Sequence, residues 1–260
     1  MFDDLPRPLM FAHRGASLRA PENTLEAFEL AARLGTDVLE LDVHMTRDRK
    51  VVVFHDPTLD RTTDGSGPIA ALDLAEVKQL DAGAGFRHSH GDASFRERGV
   101  RVPTLAEVVE AFPAWAFNLE LKAEDPELLP EVLRILKPLG PEQVVLAAGR
   151  PEIMSILEAA KTRFPLGMSR SGILDVVARV RTFRRVPERY RGRALQIPPR
   201  RGVLPIATRG LVRAAQRSGL EVHLWTINDA KVAKQWLESG VDGIMTDDPG
   251  ALASVFAEHR

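Results

Sequence analysis

Cysteine is absent from all 260 residues, and with it go disulfide staples, thiolate zinc sites and any cysteine nucleophile. A dominant charge is absent too. The 35 Lys and Arg residues nearly balance 36 Asp and Glu, a formal net charge of −1, so no global field recruits nucleic acid or an anionic membrane. No apolar run approaches the roughly 20 residues that a membrane span needs. Internal repeats and low-complexity tracts are missing as well. The opening Met-Phe-Asp-Asp-Leu-Pro-Arg-Pro is acidic and broken by proline, unlike a secretory signal, so a cytoplasmic protein is expected.

What is present suits one large core. Hydrophobic residues make up 44% of the chain, and its length is typical of a single α/β barrel. Short apolar runs, read as strands, lie at 9–13, 38–43, 51–55, 116–121, 144–148, 166–169, 194–197, 222–227 and 243–246. Amphipathic segments at 24–34, 73–80, 104–112, 126–137, 151–163, 172–183, 207–218 and 229–239 are read as helices. Asn23-x-x-Glu26, Asp73-x-x-Glu76 and Thr104-x-x-Glu107 have capping-box spacing, and Gly35, Gly219 and Gly240 stand where helices end. This alternation predicts an α/β fold, a distorted TIM-type (β/α)8 barrel forming one domain over 1–260. Nine strand candidates exceed eight places, and 44–50 is too short for a helical crossover. Segments 38–43 and 51–55 are therefore expected as a hairpin or irregular pair. Residues 57–103, turn-rich and poor in apolar residues, are read as a small insertion after the third strand candidate, a cap beside the barrel mouth.

Polar pairs close four of these apolar runs: His13-Arg14, Glu40/Asp42, His55-Asp56 and Glu120/Lys122. A strand alternates its faces, so Glu40 and Asp42 share one side, as do Glu120 and Lys122. Ionised groups aimed inward are costly unless paired or bound to metal. Strand carboxyl ends are where barrels of this type build active sites. Three carboxylates suit a hard divalent cation, two histidines can move protons, and Arg14 and Lys122 can meet an anionic group. Together they describe metal-assisted displacement at phosphorus. Taken singly, each has a plainer reading: a strand edge for Glu-x-Asp, a turn for His55-Asp56, a solvated helix start for Lys122. His44 alternates with Asp42 and is in reach of the site. His88 and His90 have metal-like spacing inside a stretch that reads as loop. Nine arginines between Arg179 and Arg201 read as a solvated face, with a patch for lipid headgroups as the alternative.

Several blocks of the chain resemble one known family. Phe-Ala-His13-Arg14-Gly15, Pro21-Glu22-Asn23-Thr24, Glu40-Leu-Asp42, Val-Phe-His55-Asp56-Pro, Leu-Glu120-Leu-Lys122, Trp225-Thr-Ile-Asn228 and Gly243-Ile-Met-Thr-Asp247 are similar, in order, to the glycerophosphodiester phosphodiesterases. The resemblance implies a TIM-type barrel, one divalent cation (Mg2+ or Ca2+), and hydrolysis of a glycerophosphodiester to sn-glycerol 3-phosphate and an alcohol. It also implies roles: His13 and His55 as acid and base, and Glu40, Asp42 and Glu120 as metal ligands. Arg14 and Lys122 would then hold the phosphate, with Trp225 beside the substrate. The implied partner is a small molecule, with neither nucleic acid nor a membrane span. One block departs from the family pattern: Val144-Val-Leu-Ala-Ala-Gly149 is apolar and small where a Ser-Phe-type motif is usual, which implies a differently shaped headgroup pocket. Gln196 is a candidate neutral hydrogen-bonding group there. Two other readings stand beside this one, a lysophospholipase D using the same centre and an inactive barrel that only binds.

Overall fold

The structure, a computed structural model, describes residues 1–87 and 95–260. His88 and His90 lie outside the described residues. The core is a curled parallel sheet of β1 (Leu9–His13), β2 (Val38–Met45), β4 (Ala116–Leu121), β5 (Val144–Ala147), β6 (Ala194–Ile197), β9 (Glu221–Leu224) and β10 (Gly243–Thr246). Its spatial order is β5-β4-β2-β1-β10-β9-β6. The edges meet through a single short stave at Leu166 and Gly167, which bridges Leu146 on one side and Ala194 on the other. That closure makes a TIM-type barrel of eight staves, as the strand–helix alternation predicted.

The ninth strand candidate is β3 (Val51–Val53), which pairs antiparallel with the end of β2 and stands outside the barrel. The five-residue link is too short for a helix, and β2 simply turns back on itself. An antiparallel pair β7 (Arg200–Arg201) and β8 (Leu204–Pro205) was not foreseen, because Pro-Pro-Arg-Arg-Gly carries no strand pattern.

Helices pack around the staves: α1 (Leu25–Arg33), α2 (Leu74–Val77), α3 (Leu105–Ala111), α4 (Leu128–Ile135), α5 (Pro151–Ala160), α6 (Arg170–Arg181), α7 (Arg209–Arg217), α8 (Ala230–Leu237) and α9 (Pro249–Ala257). The Thr104 box forms in both directions, and at Asp73 the Glu76 side chain returns to the Asp73 amide. The first one proposed does not: Thr24, not Asn23, caps α1, while Asn23 turns toward the sheet. Gly35, Gly219 and Gly240 all take positive φ past their helix ends. Helix α9 escaped the sequence reading because its Pro-Gly start looks like a turn; Pro249 sits in the first turn, where its missing N–H is harmless.

Alternation along β2 and β4 sorts the side chains as expected. Leu39, Leu41, Val43, Phe117, Leu119 and Leu121 face outward into one large hydrophobic cluster with α1, α3, α4 and α5. Glu40, Asp42, Asn118 and Glu120 are left to face the barrel interior. Below them Phe11, Val145 and Met245 pack together, and Phe2 stacks edge-on against Phe11 at 6.0 Å. A second outer cluster is built on α6, α7, α8 and α9. The described part of 57–103 folds over β3, where Leu59, Ile69, Val77, Val100 and Val102 pack on Val52 and Phe54.

Candidate active site

Strand pairing brings the acids together. Asp42 lies opposite Glu120 in the β2–β4 register, and Glu40 precedes Asp42 on the same face. One oxygen from each of Glu40, Asp42 and Glu120 lies within 4.8 Å of the others. His13 ends β1 opposite Glu40, and His55 follows β3. A cleft of about 580 Å³ at the carboxyl ends of the staves is lined by His13, Arg14, Glu40, His55, Glu120, Lys122 and Trp225 among others. The structure thus brings together all eight residues singled out by sequence, although Asp42 sits just beneath the lining.

The turn after β1 is shaped to place Arg14. Arg14 and Asn23 both take left-handed backbone angles, each with φ 57°. Gly15 follows at φ 83°, and a Cβ there would meet the Ala27 backbone at 2.7 Å, so only glycine fits. The Arg14 amide donates to Glu40 Oε2 (2.9 Å), and Asn23 Nδ2 donates to Asp42 Oδ2 (3.0 Å). Both acids are therefore oriented by the loop that follows β1.

Countercharge is shared unequally among the carboxylates. Asp42, 1% exposed, faces Lys122 Nζ at 3.0 Å and Arg14 Nε at 3.3 Å. Burial alone would raise its pKa, but these two cations hold it below the ordinary carboxylate range. Lys122 also reaches Glu120 Oε2 at 3.0 Å, and the Gly149 amide donates to Glu120 Oε1 at 3.2 Å. Burial disfavours the Lys122 ammonium, yet Asp42 and Glu120 raise its pKa overall. Glu40 has no side-chain cation in contact among the described residues. Burial, then the charge of Asp42, pushes its carboxyl up to about 7. Three hard oxygens converging with one of them short of positive charge is a donor set that fits a divalent cation.

Each histidine is held by a carboxylate. His13 Nδ1 donates to Asp247 Oδ1 at 2.7 Å, and His55 Nδ1 donates to Asp56 Oδ1 at 2.6 Å. With Nδ1 committed to a carboxylate, Nε2 is the nitrogen each ring has left for proton transfer. Burial disfavours the charged form of His13, but Glu40 and the Asp247 bond outweigh it and raise its pKa. Asp247 is fixed in turn by Ser17 Oγ (3.1 Å) and Asn228 Nδ2 (2.8 Å). Asp56 accepts from Arg61 Nε at 2.6 Å, and Arg61 clamps Glu22, which also takes Arg14 Nη1 at 2.9 Å. Burial would raise the Asp56 pKa, but Arg61 and His55 draw it down to about 2. A continuous chain of charges therefore joins His55 to Arg14.

Asp247, Glu22, Arg61 and Asn228 were given no role from sequence. Asp247 is 234 positions from the histidine it orients, so only the closed barrel reveals the pairing. Arg61 is what the insertion contributes. Among the described residues none from 57–103 lines the cleft. His44 supports from behind, its Nε2 donating to the His55 carbonyl at 3.1 Å, and burial lowers its pKa and keeps it neutral. Gln196 does point into the cleft, donating to Asn118 Oδ1 at 2.6 Å. The small residues Ala147, Ala148 and Gly149 leave the wall beside them open.

Arg14 Nε is buried without a hydrogen bond of good geometry, although Asp42 is near. That side of the guanidinium is committed to Asp42 by charge, and the residue lines the cleft, where an anionic oxygen can approach it. Arg14→Lys keeps the charge but loses the planar fork that spans Glu22, Asp42 and such a ligand. Turnover is expected to fall about 10–100-fold, with a weaker KM, in steady-state kinetics; wild-type values in this variant would remove Arg14 from the site.

The glycerophosphoryl diester phosphodiesterase family model matches residues 13–251. A glycerophosphodiester phosphodiesterase of Caldanaerobacter subterraneus is 30% identical over 96% of this chain and 98% of its own. A human lysophospholipase D is 27% identical over 93% and 83%. Among solved structures, an Oleispira antarctica phosphodiesterase in complex with the product sn-glycerol-3-phosphate superposes with a TM-score of 0.77. It is 28% identical, over 96% of this chain and 97% of that one.

Proposed function

Since the chain belongs to the glycerophosphoryl diester phosphodiesterase family, we propose that it hydrolyses small glycerophosphodiesters to sn-glycerol 3-phosphate and an alcohol. The observation that carries this reading is the meeting of Glu40, Asp42 and Glu120 with two carboxylate-oriented histidines in one cleft. Residues 1–260 are taken as a single barrel domain with 57–103 inserted, working in the cytoplasm without nucleic acid. No helix among the described residues is long and apolar enough to cross a membrane.

In this mechanism Glu40, Asp42 and Glu120 would hold one Mg2+ or Ca2+, which would supply positive charge to the reacting phosphoryl group. Arg14 and Lys122, which line the cleft, bind phosphate oxygens. Trp225, 40% exposed at the cleft rim, gives an indole face for the glycerol or headgroup. The glycerol 2-hydroxyl attacks phosphorus. One of His13 and His55 removes its proton, while the other protonates the departing alkoxide. A cyclic phosphate results, and water opens it with the two roles exchanged.

A second substrate class has its own support. Met168, Ile173, Leu174 and Ile206 give the cleft an apolar wall against which the glycerol-borne acyl chain of a lysophospholipid can pack, and a lysophospholipase D is among the relatives. Glycerophosphocholine and lysophosphatidylcholine, each with and without EDTA, separate the readings. EDTA is expected to lower turnover of the preferred substrate by about 100-fold or more, with recovery on adding Mg2+ or Ca2+. Turnover that survives EDTA removes the metal role, and turnover of neither substrate removes the phosphodiesterase reading.

A further inference from the structure

The hairpin of β7 and β8 has no part in the chemistry, yet it is built firmly at the cleft mouth. Its base is closed by the Ile206 and Ala207 amides on the Pro199 carbonyl (3.0 and 3.2 Å). Arg200 Nη2 donates across its turn to the Val203 carbonyl at 3.1 Å, and Arg181 of α6 holds the Pro205 carbonyl. This frame holds two aliphatic side chains out in water, Val203 at 85% and Leu204 at 64% exposure. Leu174, 57% exposed, rises from α6 nearby, and Ile206 continues the apolar surface into the cleft. Scattered exposed aliphatics are ordinary, but two side by side on one hydrogen-bonded tip beside a cleft mouth are not scattered.

The charge around this tip is of one sign. Arg170, Arg200 and Arg201 have no carboxylate partner among the described residues, and Arg170 and Arg201 line the cleft itself. The chain as a whole is nearly neutral, so this is a local field. Cations alone would suit any polyanion. Cations beside two protruding aliphatic side chains suit a surface that has phosphates outside and acyl chains beneath.

We propose that the β7–β8 hairpin docks this enzyme on anionic phospholipid surfaces, with Val203 and Leu204 entering the headgroup layer and Arg200 and Arg201 meeting lipid phosphates. Docking there turns the cleft, with its apolar wall, toward the lipid. The proposal does not require the substrate reading above, because its measurement is binding and not turnover.

The test is co-sedimentation of the full chain with vesicles of phosphatidylcholine alone or mixed with phosphatidylglycerol. The wild type is expected to bind the anionic vesicles about tenfold more tightly than the neutral ones, and less tightly as NaCl rises. Val203→Ser with Leu204→Ser should weaken anionic-vesicle binding about tenfold and leave hydrolysis of water-soluble glycerophosphocholine unchanged. The single Val203→Ser variant, with unchanged hydrolysis as its folding control, should fall between them. Equal binding to both vesicle types overturns the proposal. So does a double variant that binds anionic vesicles as well as the wild type, because the arginines would then act as a simple polyanion patch.

Discussion

Asp42→Asn should lose activity and stability together, whereas Glu120→Gln should lose activity alone. Both substitutions keep the shape of the side chain and remove one negative charge from the proposed metal site. Turnover is expected to fall about 10³-fold in each, since a missing ligand removes positive charge from where the transition state needs it. The stabilities should diverge because the surroundings differ. Asp42 is fully enclosed and is the acid shared by Lys122 and Arg14, themselves mostly buried. Removing its charge takes one carboxylate from each of two interior cations at once, leaving Lys122 only Glu120 and Arg14 only Glu22, a loss of up to about 3 kcal/mol. For a chain of this size that is a Tm lower by about 6–12 °C. Glu120 is more exposed, and Lys122 retains Asp42 when Glu120 is neutral, so its Tm should stay within about 2 °C. Calorimetry with a metal titration checks both. A stable, fully metal-binding Asp42→Asn protein would overturn the ligand assignment.

Replacing either histidine by alanine should slow turnover by about 100-fold or more without unfolding the protein, as for a positioned proton-transfer group. Their carboxylate partners should matter less and differently. Asp247→Asn and Asp56→Asn leave each ring in place but replace the charged acceptor that fixes the Nδ1–H tautomer with a neutral amide that can also donate, so a loss of about 10–100-fold is expected. The two partners also differ in what supports them. Asp247 is gripped by neutral donors, Ser17 and Asn228, while Asp56 leans on Arg61 and through it on Glu22. Single-turnover rates at several pH values measure all four variants. Near wild-type rates in His13→Ala or His55→Ala would assign that histidine to structure.

The catalytic strands were legible because two periodicities agree there. In Val-Leu-Glu-Leu-Asp-Val, every second residue is apolar and feeds the outer cluster, so the charges between must face inward. The same logic found Glu120 and placed Lys122 at the strand end. Asp247 was out of reach, because β1 and β10 become neighbours only when the barrel closes, and nothing local ties position 13 to position 247. Asn23 was misjudged for a related reason. Its spacing to Glu26 satisfies a cap rule, but the buried Asp42 carboxylate is the better use for its amide, and Thr24 caps instead. Strand 166–169 was right in place and too long, since only Leu166 and Gly167 pair.

That short stave gives the molecule an uneven weave. The chemistry hangs on β1, β2 and β4, where β2 and β4 are matched over six consecutive positions. The part of the cleft lined by Ala147 and Gln196 hangs on β5, β6 and the two residues between them, joined by one bridge on each side. The hydrophobic clusters part near the same line, one ending at Phe164 and the next resuming at Met168. A fabric stitched this way gives first along its thin seam. Loops on that seam can be recut for a new substrate while Glu40, Asp42, Glu120, His13 and Arg14 stay in register on the dense side.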